Sequence, residues 1–71
     1  MDAPALVRGM LAEKQVSRGE AAKLVGLSRT AFSKRVNGHV PFLFDEVTSL
    51  SASLGVPASE LMRRAEQRQT A

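Results

Sequence analysis

Residues 17–38 read SRGEAAKLVGLSRTAFSKRVNG, and the spacing of serine, glycine and apolar side chains within them decides the fold. Ser17 followed by Glu20 is a capping-box pattern, in which each side chain satisfies a backbone donor at a helix start. That predicts a short helix over 18–25. Gly26 stands where the chain must leave it, a place that favours a left-handed backbone, and Leu27 is the apolar plug for the corner. Ser28 then caps a second helix running to about residue 36, and Asn37-Gly38 closes it with the two residues that best tolerate positive φ. Two short helices joined by a glycine-centred turn are the outline of a helix-turn-helix.

Working outward, Pro4 suits a first helical turn, where its missing N–H costs nothing, and Leu6, Val7, Met10 and Leu11 follow on one stripe of a helix ending near Lys14. After the motif, 39–43 reads as a loop containing Pro41. Phe44, Val47, Leu50, Ser51 and Leu54 mark a fourth helix that Gly55 ends. Pro57 and Glu60 support a fifth over 57–68, leaving 69–71 as a frayed tail. The expectation is a compact all-α, five-helix domain over 4–68 with the helix-turn-helix at its second and third helices. Nothing alternates with the period of a sheet, and no repeat or second domain is visible.

A chain of 71 residues buries only about 60% of the surface its unfolded form exposes, so nearly every apolar position is needed for the core. There is no cysteine, hence no disulfide or thiolate metal site, and a reducing cytoplasm fits. The longest apolar run, 40–44, contains Pro41 and is far below the roughly 20 residues that span a bilayer. No signal peptide or lipid anchor is expected. The net charge is +3, unevenly placed: Arg18, Lys23, Arg29, Lys34 and Arg35 face only Glu20 within 17–38, whereas the rest of the chain is near neutral. A positive field concentrated on the motif is the footprint of a phosphate-binding face.

In a helix-turn-helix the second helix enters the major groove by its N-terminal turns, and the first lies across the backbone. Arg29, Thr30, Ser33 and Lys34 would be the base-contacting side chains. Arg29 leads, because its paired donors match guanine O6 and N7. Phe32 and Ala31 would face Ala21, Ala22 and Val25, where small residues let two helices approach. Phosphates would be held by helix-start N–H groups and by Arg18, Ser28, Arg35, Asn37 and His39. The long stem of Arg35 could equally pack across the fourth helix.

At Ser17, Ala22, Gly26, Ser28, Phe32, Asn37 and Gly38, and at the Leu54-Gly55-Val56 run, the chain resembles the lambda-repressor-like (Cro/repressor, XRE-type) helix-turn-helix family over about 6–62. The resemblance implies a five-helix transcriptional repressor of the small phage or prophage type, Cro-like, binding a palindromic operator on double-stranded DNA as a homodimer. It matches Arg18 and Asn37 to phosphate-contacting positions, and Arg29, Thr30 and Lys34 to base-reading ones. The chain departs where the family commonly carries a glutamate before Asn-Gly, having Val36, and where Arg35 takes an often apolar position.

Other chemistry is poorly served. His39 is the only histidine and has no cysteine to share a metal, and no nucleophile elbow surrounds any serine, so no enzyme, metal, cofactor or small-molecule ligand is expected. Asp45 and Glu46 are adjacent and point to different parts of a helix, which suits them to the helix dipole rather than to paired-carboxylate catalysis. Leu24 is a surface leucine by default. Phe42, Phe44, Leu61 and Met62 are read first as core and, where exposed, as a candidate dimer surface. A dimer would set its recognition helices about 34 Å apart. An antitoxin-type autoregulator, or a protein-interaction module that keeps the fold without operator binding, are the alternative functions.

Overall fold

A computed structural model of the chain describes residues 2–70, with side chains through residue 67. Among these residues there are five helices and no strand: α1 (Ala3–Lys14), α2 (Arg18–Leu24), α3 (Arg29–Val36), α4 (Phe44–Ser53) and α5 (Ala58–Thr70). The all-α, five-helix reading therefore holds. α1 starts one residue before Pro4 because the Asp2 carboxylate accepts from the Ala5 N–H at 3.2 Å. α5 continues through Gln69 and Thr70, where a frayed tail was expected, and Ala71 lies outside the described residues.

The turn between α2 and α3 forms as the glycine spacing requires. Gly26 has φ +73°, its N–H reaches the Lys23 carbonyl at 3.3 Å, and the Leu27 N–H reaches that of Ala22 at 2.9 Å. These two bonds satisfy carbonyls that the end of α2 would otherwise leave unpaired. The same pair closes α3 at Gly38, whereas Asn37 stays right-handed at φ −83°, so only one residue of Asn37-Gly38 uses positive φ. α1 ends in the same way on Gln15, a non-glycine residue at φ 55°.

Leu6, Val7 and Met10 from α1, Phe32 and Val36 from α3, and Val47 and Leu50 from α4 are the large buried side chains at the centre. Ala21 and Ala22 of α2 are buried beneath them, where their small size allows α2 and α3 to pack closely. Phe42 lies half-buried on the loop, its ring edge-on to Phe32 at 5.8 Å. Leu61 is only 4% exposed and Ala65 is buried with it, so α5 docks through these two. Leu61 is thus core, as first read, and drops out of the candidate dimer surface, as largely does Phe42. The core reading is corrected for Met62, 54% exposed, and for Phe44, 67% exposed. Phe44 opens α4 at the edge of the apolar arc, and the buried stripe begins at Val47.

Polar links the sequence reading did not anticipate tie the helices together. Arg8 donates to the Val36 carbonyl at 3.0 Å, placing a cation at the C-terminus of α3 where the helix dipole favours it. Arg64 bridges Glu13 of α1 at 2.8 Å and Glu60 one turn back in α5 at 3.2 Å. Arg63 also pairs with Glu60. No helix among the described residues is long and apolar enough to cross a membrane.

Candidate nucleic-acid interface

α3 is short, and its two faces are chemically opposite. At 3.6 residues per turn, positions 29, 30, 33, 34 and 37 fall within an arc of about 140°, and Phe32 and Val36 lie outside it, beyond its Arg29 edge. Arg29, Thr30, Lys34 and Asn37 are exposed, and Ser33 is half-buried between them. Phe32 and Val36 are fully buried, which fixes the rotation of α3 about its axis. All four expected base-contacting side chains thus lie on one outward strip.

The helix starts point the same motif toward anions. Ser28 Oγ accepts from the Ala31 N–H at 3.1 Å, and Ser17 Oγ accepts from the Glu20 N–H at 3.1 Å. Both caps form as read, leaving the remaining first-turn N–H groups of α3 directed outward beside Arg29. A surface groove of about 530 Å³ runs between the two starts, lined among others by Ser17, Lys23, Leu27, Ser28 and Arg29.

Arg18 opens α2 and Asn37 follows α3, yet the fold brings them together: Arg18 Nη1 donates to Asn37 Oδ1 at 3.4 Å. A guanidinium has five N–H donors, so this single long bond leaves Arg18 free to grip a phosphate while Asn37 steadies it. His39 is exposed in the bend beyond α3, where its own N–H donates to the Lys34 carbonyl at 2.9 Å. Among the described residues, Arg29, Lys23 and Lys34 have no carboxylate partner. Their charge is therefore available to a ligand, in contrast to the paired arginines of α5.

Arg35 is not part of this strip. Its Nε donates to Glu46 Oε1 of α4 at 3.0 Å, its Nη1 donates to the Ala31 carbonyl at 3.1 Å, and the side chain is only 17% exposed. The phosphate-contact reading of Arg35 is corrected to a packing one, because its position on the wheel falls outside the exposed arc and its stem runs along the core edge. Glu46 was read only as a dipole-complementing acid. It also accepts the Leu43 N–H at 2.9 Å, closing half of a capping box whose other half Leu43 has no acceptor to supply. An arginine beside the buried stripe of α3 and a glutamate in the next helix's first turn were the available signals for this pair.

No protein-family model, curated protein or solved structure matches the chain.

Proposed function

We propose that the chain is a sequence-specific DNA-binding transcriptional regulator, a small repressor of the phage or prophage type that acts in the cytoplasm by occluding a promoter. The observation that carries this reading is the outward strip of α3: Arg29, Thr30, Ser33 and Lys34 together, unpaired in charge, on a helix whose other face is locked into the core. A helix presented in this way can enter a major groove and set donors against base edges. Arg18, Ser28, Asn37 and His39 flank the strip and supply phosphate contacts that fix register.

The regulator works as a homodimer on an inverted repeat. Phe44 and Met62, at 67% and 54% exposed, support this as apolar side chains open to a second copy. It is not an enzyme and needs no cofactor or small-molecule ligand, so occupancy follows protein concentration. The test is selection of bound duplexes from a random pool at two salt concentrations. An enriched inverted repeat with half-sites about one helical turn apart supports the proposal. Absence of both enrichment and retention at low salt overturns it.

A further inference from the structure

α3 is a helix of eight residues, too short to hold its shape or direction alone, so the angle of its outward strip is set by what grips it from behind. Phe32 and Val36 fix its rotation, and Arg8 holds its last turn through the Val36 carbonyl at 3.0 Å. Its side facing α4 is gripped differently. There the link is the ion pair of Arg35 with Glu46, whose side chains are 17% and 11% exposed.

Both members of that pair are held twice. Arg35 donates to Glu46 at 3.0 Å and to the carbonyl of Ala31 in its own helix at 3.1 Å. Glu46 Oε1 receives Arg35 and also the N–H of Leu43, at 2.9 Å, where α4 begins. The chain from the Ala31 carbonyl through guanidinium and carboxylate to the Leu43 N–H joins the middle of α3 to the first turn of α4. The two ends of such a chain cannot shift independently without breaking a charge-assisted hydrogen bond.

We infer that Glu46 is a positioning residue for DNA reading: through Arg35 it sets the pose in which α3 presents Arg29, Thr30 and Lys34, and it keeps Arg35 off the phosphates. The inference rests on the DNA-binding reading and adds to it a sequence-preference role for an acidic residue outside the recognition strip. Its consequence runs against simple electrostatics. Neutralising Glu46 takes the net charge from +3 to +4, which favours binding to any DNA. A positioning role requires that removing the oxygen acceptors of Glu46, as in Glu46→Ala, lower preference for the correct site despite that gain in charge.

The experiment measures affinity of the full chain for its selected duplex and for a scrambled duplex of equal length, with helicity checked by circular dichroism. Glu46→Ala lowers the selected-to-scrambled ratio about threefold to tenfold, with scrambled binding unchanged or tighter. Glu46→Gln keeps an oxygen acceptor for Leu43 and Arg35 and restores most of the ratio. Arg35→Met lowers the ratio as well but leaves the salt slope unchanged, whereas loss of a phosphate contact would reduce it by about 0.9. If Glu46→Ala does not fold, Arg35→Met carries the same comparison. An unchanged ratio in folded Glu46→Ala or Arg35→Met, or a reduced slope for Arg35→Met, overturns the inference while leaving DNA binding intact. A wild-type chain without sequence preference overturns the DNA reading first, and this inference with it.

Discussion

Arg29 and Arg35 share one short helix and meet different surroundings. Arg29 opens α3, exposed and without a carboxylate, whereas Arg35 is drawn back onto Glu46 and the Ala31 carbonyl. Arg29→Ala is therefore expected to lose about 1–3 kcal/mol of discrimination at one base position, measured by competition between the selected site and its single-base variants. The difference between the two arginines was only half legible in the sequence. Helical spacing put Arg29 outward, but the destination of Arg35 depended on where α4 would bring Glu46, a long-range fact. Gln15 gives a second residue-scale expectation. It sits at φ 55°, where a side chain with a Cβ is strained, so Gln15→Gly is expected to stabilise the fold by about 1 kcal/mol. A thermal melt would show this as a midpoint raised by roughly 4–8 °C.

Among the elements, the helices with strong local signals were the ones the sequence located best. Ser17, Gly26, Ser28 and Gly38 each act on their own neighbours, so the bounds of α2 and α3 follow from them nearly to the residue. The attachments between helices were not legible, because Arg8 to Val36 and Arg64 to Glu13 join residues far apart in sequence. α5 also carries ion pairs within itself, from Arg64 and Arg63 to Glu60. The Glu60 carboxyl is held below its ordinary value, first by the hydrogen bond from Arg64 and then by that from Arg63. A carboxyl whose folded pKa is depressed adds stability above its unfolded pKa, and that contribution is lost as pH falls through the folded one. The first turns of α5 are thus expected to loosen in acid and to be indifferent to rising pH above neutrality. Amide exchange of α5 followed across the acid range checks this, and Glu60→Gln should remove the dependence. The effect should shrink at high salt, since the ion pairs are partly open to solvent.

Across the whole molecule, charge is sorted by face. Arg63 and Arg64 of α5 and Arg35 pair with carboxylates within the fold, while among the described residues Lys23, Arg29 and Lys34 on α2 and α3 are exposed without a carboxylate partner and half-buried Arg18 bonds Asn37. The sequence anticipated this sorting because its excess of positive charge lies within 17–38. It did not anticipate that Phe44 and Met62 would be exposed while Leu61 is buried as read, since all three lie on plausible apolar stripes and only the docking of α4 and α5 separates them. The central claim is that the α2–α3 face meets DNA, and the most direct measurement is an amide NMR titration of the full chain with its selected duplex. The account predicts that the perturbed signals concentrate at residues 17–20 and 28–39. Perturbations confined to α4 and α5, or none at a duplex concentration that saturates binding, would contradict it.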